Sequence, residues 1–172
     1  MNASPTRALR EEHGLLLEVL ECFEQDLAQP AARRLAAFVA IFRGYADFCH
    51  HRKEELGLFP LLEGHGLGPA IACMLDEHRA ARGLIAELES AADAGDAAGI
   101  SAAGFGYIDL LRAHIEKENC MLFAVADACL TPAEGTALAR RYAEIEADPD
   151  FAEIFGRCRG LIDGFLGATH RP

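Results

Sequence analysis

The sequence predicts an all-α fold: an up-down-up-down four-helix bundle with additional C-terminal helices. Three observations predict it. Apolar residues recur at spacings of three, four and seven through most of the chain, which is the period of a helix with one buried stripe. No segment alternates apolar and polar residues as a half-buried strand would. Prolines and glycines cut the chain into pieces of helical length joined by short loops.

The first helix opens at Ser4-Pro5, with serine as N-cap and proline at the first helical position, and carries Leu9, Leu16, Leu17, Leu20 and Leu27 on one stripe. Pro30 ends it and begins the second, from about 31 to 59, with Leu35, Phe38, Val39 and Phe42 inward and a kink or stop near Pro60. The glycines of 63–69 mark a loop. Its G-x-G-x-G lacks the preceding strand that a nucleotide cradle needs. A third helix is expected from about 69 to 92 and a fourth from about 100 to 129, with Leu110, Leu111, Met121, Leu122 and Val125 near the inward face. Thr131-Pro132-Ala133-Glu134 reads as a capping box opening a short helix to about 146, and Asp148-Pro149-Asp150 starts the last.

The chain has 172 residues, which predicts a single domain over 1–172, with the bundle at about 5–129 and the C-terminal helices at about 131–168. A net charge of −11 argues against nucleic acid or anionic lipid as partners. The longest apolar run, Leu35 to Phe42, is far too short to span a membrane, and the first residues lack the apolar core of a secretion signal. A soluble, cytoplasmic protein is expected. The six cysteines include no C-x-x-C pair, so they read as reduced apolar thiols rather than a zinc or dithiol motif.

The seven histidines carry the chemistry. His50 and Glu54 are four residues apart on the second helix, as are His114 and Glu118 on the fourth. Residues i and i+4 share a face, so each pair can aim an imidazole and a carboxylate at one point inside the bundle. A rival pair, His51 with Glu55, lies one residue on; the apolar pattern favours His50 and Glu54, which bring Val39, Ala46 and Leu61 inward. His13 and His78 each lie on an apolar face. Counted from the connecting turns, the His50/Glu54 pair, His78 and the His114/Glu118 pair are level within a few Å, at ~1.5 Å per residue. His13 misses that level by roughly 8 Å when counted from Pro30.

A lone inward histidine is ordinarily a satisfied core residue, and a lone H-x-x-x-E a solvated pair. Four histidines and two glutamates converging at one level need a common partner, and a metal supplies it. The set is too rich in nitrogen for calcium or magnesium and has no thiolate cluster for structural zinc. Six ligands exceed one tetrahedral ion, and two carboxylates suit bridging, so a di-iron centre is expected, with zinc or manganese as substitutes. No histidine has a glutamate three residues before it, which excludes the ferritin-like di-iron pattern.

The segment 50–60, HHRKEELGLFP, resembles the H-x-x-x-E-E-x-x-L-F-P signature of hemerythrin-like (HHE) cation-binding proteins. The segment from His114 through Glu118-Asn119 to Leu122-Phe123 resembles its second copy, and Glu12-His13 and Glu77-His78 match the single-histidine positions. The resemblance covers roughly 5–145. It implies His13, His50, Glu54, His78, His114 and Glu118 as ligands of two non-haem iron ions, with Glu54 and Glu118 bridging, and it favours His50 over His51. His51 and Glu55 then read as supporting or surface groups. Oxygen-carrying members of the family resemble this chain but place a second histidine where Arg82 stands. The resemblance therefore implies an open iron position for oxygen, nitric oxide or peroxide. Binding or sensing such a diatomic ligand, or handling iron, is the leading expectation. An enzyme acting on peroxide, oxygen or nitric oxide is the alternative, and a purely structural helical domain is a third. Tyr107 and Arg43, two turns before His114 and His50, are candidates to line the pocket.

Overall fold

In the computed structural model, which describes residues 4–29 and 34–169, the chain folds into six helices: α1 (Arg7–Leu27), α2 (35–64), α3 (Gly68–Asp93), α4 (97–129), α5 (Pro132–Glu146) and α6 (Pro149–Thr169). No strand occurs among the described residues. The readings that fall on Pro30 and His170 lie outside them.

Helix α1 starts two residues later than the Ser4-Pro5 signal predicts. The hydroxyls of Ser4 and Thr6 are given to the Asp127 carboxylate of α4, at 2.8 and 2.9 Å, rather than to the helix's own free N–H groups. Helix α2 begins at Leu35, and buried Asp26 accepts from both the backbone N–H and the Nε of Arg34. Of the kink or stop expected near Pro60, a stop does not occur, and the helix departs from α geometry over Glu54–Leu58 just before it. Proline removes the N–H that would bond the carbonyl of Leu56, and that carbonyl instead accepts from Arg141 Nε of α5 at 3.2 Å, so the helix runs on to Gly64. The capping box at Thr131 forms as expected.

Two of the four bundle helices contain π-helical turns, in which N–H groups bond five residues back. They occupy Phe42–His51 and Glu54–Leu58 of α2 and Glu118–Leu122 of α4. Each wide turn inserts an extra residue and rotates the remainder of the helix. That rotation corrects the expectation for α4: Met121 and Val125 are 59% and 43% exposed, while Leu122, Phe123 and Ala126 take the buried positions.

The apolar interior falls into two large clusters and a small third one of Cys49, Ile145 and Phe151. Leu16, Leu20, Phe23, Phe42, Ile85 and Leu111 belong to one large cluster, and Leu9, Leu58, Met74, Leu122 and Phe123 to the other. On every bundle helix the predicted ligand residues fall between the two. Helix α6 covers the first cluster, its Phe165 stacked on Phe38 with ring centroids 4.3 Å apart. Helix α5 covers the second through Leu138 and Tyr142. Both approach α2 at glycines: a Cβ at Gly44 would lie 2.5 Å from Cys158 Sγ, and one at Gly57 2.8 Å from the Tyr142 ring. Among the described residues no helix is long and apolar enough to cross a membrane.

Candidate metal centre

All six residues singled out from the sequence meet in the layer between the two clusters, each at most 2% exposed. His13 Nε2 lies 2.8 Å from His50 Nε2, and His78 Nε2 lies 3.2 Å from His114 Nε2. The two glutamates span these pairs. Glu54 faces His50 with Oε1 at 3.3 Å and His78 with Oε2 at 3.5 Å. Glu118 Oε2 lies 3.2 Å from His13 Nε2 and 3.3 Å from His114 Nε2.

The other nitrogen of each ring is held from behind. His50 Nδ1–H donates to Glu12 at 2.8 Å, His78 Nδ1–H to Glu55 at 2.8 Å, His114 Nδ1–H to Glu77 at 2.9 Å and His13 Nδ1–H to Asn119 Oδ1 at 3.0 Å. With the proton on Nδ1, each Nε2 presents a lone pair inward, the tautomer a metal needs. Two Nε2 lone pairs facing each other at 2.8 Å cannot bond one another. Nitrogens bound ~2.1 Å from one ion at right angles sit about 3 Å apart, close to both observed separations.

The orienting carboxylates are themselves anchored. Lys53, 2% exposed, donates to Glu12 and, at 2.9 Å, to Glu146 of α5. Lys117 donates to Glu77. Arg82 donates to Glu55 and to Asp47, both at 2.7 Å.

Both oxygens of Glu54 and of Glu118 are buried with no hydrogen-bond partner. Leaving four carboxylate oxygens so would be costly without a cation. Burial alone would raise the Glu54 carboxyl, but His50 and His78 hold it well below the usual range. Burial and Glu54 both push Glu118 up, and His114 and His13 outweigh them. Burial pulls the His50 ring down, yet Glu54 and Glu12 raise it to about 10. The same balance, with Glu54 and Glu55 as the raising groups, brings His78 to about 9. Protons on these rings offset the glutamates when no metal does. Two groups of four have ligand atoms within 4.8 Å of one another: His13, His50, Glu54 and Glu118, and His51, Glu54, His78 and His114. The residues present fit a metal.

His13, the member that the turn counting placed worst, sits in the cluster. Helix α1 ends at Leu27 and α2 begins at Leu35, so a count from residue 30 starts several residues from either helix end. His51 is not a surface group. It is 1% exposed, its ring lies parallel to that of His78 at 3.7 Å, and burial pushes it down to about 4. The π turn ending at His51 lets two adjacent residues face inward, which an α-helix does not. Arg43 is exposed and donates to Glu89 through Nε at 2.9 Å, and it also lines the small cavity that Tyr107 lines. Tyr107 is buried, 4.4 Å from the Phe42 ring, and with His51, Asp47 and Arg82 lines a cavity of about 10 Å³. His65 is exposed and pairs with Glu134. Cys49, beside His50, packs with Ile145 and Phe151, and burial pushes its thiol up to about 12. Of the six cysteines, Cys22, Cys49 and Cys158 are buried, whereas Cys73 and Cys120 are exposed.

Of the orienting groups, Glu55 reads from the sequence as a supporting or surface residue, while Glu12, Glu77 and Asn119 are given no such role there, although a signal is present. Glu-His occurs at 12–13 and 77–78, and H-x-x-K-E at 50–54 and 114–118. The repeat includes the lysines and the glutamates before each single histidine, not the ligands alone.

A helical bundle with histidines and glutamates gathered around a buried centre of negative charge defines a cation-binding bundle. The family model of the hemerythrin HHE cation binding domain matches residues 4–126, and the chain belongs to that family. Iron or cation binding is the property this membership implies, and the His/Glu cluster fits it. The match spans α1 to α4 nearly complete, with every clustered residue; α5 and α6 lie beyond it. Comparisons with curated proteins and with solved structures returned no match.

Proposed function

We propose that the cluster holds two non-haem iron ions and that the protein binds or senses a small diatomic ligand, oxygen or nitric oxide, at that centre. The observation that carries this reading is the division of Glu54, whose two unpartnered oxygens face His50 on one side and His78 on the other. A single ion would not require a carboxylate split in this way; two ions sharing it would. His13 and His50 would then hold one ion and His78 and His114 the other, with Glu54 and Glu118 within reach of both pairs. Zinc or manganese suits the same donors as a substitute.

Bound iron would supply an exchangeable position and a redox couple. The chain does the rest. Glu12, Glu55, Glu77 and Asn119 fix the ring tautomers, and Phe123 and Phe59 stack on His13 and His78 at 5.2 and 5.7 Å, walling the centre from water. The cavity of about 10 Å³ beside His51 has room for about one water-sized molecule. Six unpaired cysteines suit a reducing, cytoplasmic setting.

Iron analysis with an optical spectrum in air tests the reading. About two irons per chain, with a band that bleaches when oxygen is removed and returns with it, is expected for a binder. Sustained turnover of peroxide would make the protein an enzyme instead. Fewer than one metal per chain, unchanged in His50→Ala and His114→Ala, would overturn the metal assignment.

A further inference from the structure

Tyr142 lies on α5, outside the family match, and is 7% exposed. Its hydroxyl is wholly buried and has no hydrogen-bond partner. A buried tyrosine hydroxyl ordinarily finds one, and leaving it bare is costly. The ring is admitted by Gly57, where a Cβ would lie 2.8 Å from one of its carbons. Leu9, Leu58 and Leu122 share its apolar cluster, and each is four residues from a clustered ligand: His13, Glu54 and Glu118 in turn. Tyr142 is therefore stationed about one helical turn from the metal layer. Burial, and then the charges of Glu54, Glu12 and Glu118, hold its phenol above the ordinary value, so the hydroxyl keeps its proton within electrostatic reach of all three. The oxygens of Glu54 and Glu118 are unpartnered too. The hydroxyl thus stands farther from them than a direct hydrogen bond spans, and a small molecule held at the centre can bring an acceptor between.

We propose that the Tyr142 hydroxyl donates a hydrogen bond to a diatomic molecule held at the metal layer, so that the C-terminal extension takes part in retaining the ligand. This rests on the iron and diatomic-ligand reading above. Tyr142 touches no ion in this arrangement. Its oxygen is a fixed donor, positioned by the ring on Gly57 and by the leucines around it, and it gains its missing partner when the ligand arrives. A donor so placed costs no reorganisation and favours a ligand whose outer atom becomes negative on binding.

Tyr142→Phe keeps the ring over Gly57 and removes only the hydroxyl. Nitric oxide is the probe, added anaerobically to full-length wild-type and variant protein loaded with Fe(II). The variant should hold as much iron as the wild type and unfold no earlier, since the oxygen it lacks had no partner. It should release nitric oxide about tenfold faster, and the N–O stretching frequency of the bound probe should rise above that of the wild type. An iron-replete variant with the wild-type frequency and release rate would overturn the inference. Should the variant not fold, the wild type in D₂O decides: a shift of the N–O frequency on exchange supports a hydroxyl donor, and an unshifted band refutes it. Wild-type protein that takes up iron but no nitric oxide, or no iron at all, would defeat the underlying reading and the inference with it, a failure visible before the variant is compared.

Discussion

Each clustered imidazole is positioned by a residue that would touch no metal, and loss of such a residue should show in affinity before it shows in folding. Glu12→Ala frees the His50 ring, and Glu77→Ala frees that of His114. Each is expected to lower iron affinity about 10- to 100-fold, measured by competition with a chromophoric chelator, with helix content unchanged by circular dichroism. Lys53 should behave differently. Its ammonium is buried between Glu12 and Glu146, and removing it leaves Glu12 as an uncompensated, largely buried charge. Lys53→Met is expected to cost about 3–5 kcal/mol of stability. The double variant Lys53→Met, Glu12→Gln should regain part of that loss in denaturant titrations, because the orphaned charge goes too.

At the scale of helices, the i, i+4 pairs and the level of His78 with both were legible in the sequence, since periodicity and turn positions determine them. What was illegible traces to the π turns. No residue pattern announces an extra residue in a turn, so the sequence reading made His50 and His51 rivals for one inward direction and put Met121 and Val125 on the wrong face. The π turns begin or end at His51, Glu54 and Glu118, so the departure from α geometry occurs where the chemistry is, as is common for such turns. The packing of α6 on α2 yields a further prediction. A methyl at Gly44 meets Cys158 Sγ and Ile154 at 2.5 and 2.9 Å. Gly44→Ala should destabilise by about 1–3 kcal/mol through overpacking, and thermal unfolding should register it with the iron content intact.

For the molecule as a whole, the charged layer between two apolar clusters makes metal binding and folding one equilibrium. Metal that binds only the native state adds about 4 kcal/mol at a thousandfold excess over its Kd, so stripping it with a chelator should lower the unfolding midpoint. The metal-free protein should also have its own pH dependence. His50 and His78 are raised from 6.5 to about 10 and about 9. Stability from a raised group is fully present below its unfolded value and is lost as pH rises through the folded one. Metal-free protein should therefore weaken between pH ~6.5 and ~10, as the protons that offset Glu54 and Glu118 depart. Iron-loaded protein should not track that curve, because the metal has replaced those protons. Parallel urea titrations across this range test the difference.

The Lys53 clasp reaches past the bundle. Through it Glu146, on a helix outside the family match, is linked by way of Glu12 to the ring of His50. Arg141 and Tyr142 dock the same helix at the Leu56 carbonyl and at Gly57, beside the Glu54 turn. The segment 4–126 on its own should therefore bind metal less tightly than the full chain, which a chelator competition between the two would show. Transplanted without α5, it would carry every ligand yet leave a lysine half-neutralised behind one of them and a carbonyl unclaimed before Pro60. In this protein the C-terminal extension is part of the metal site's architecture.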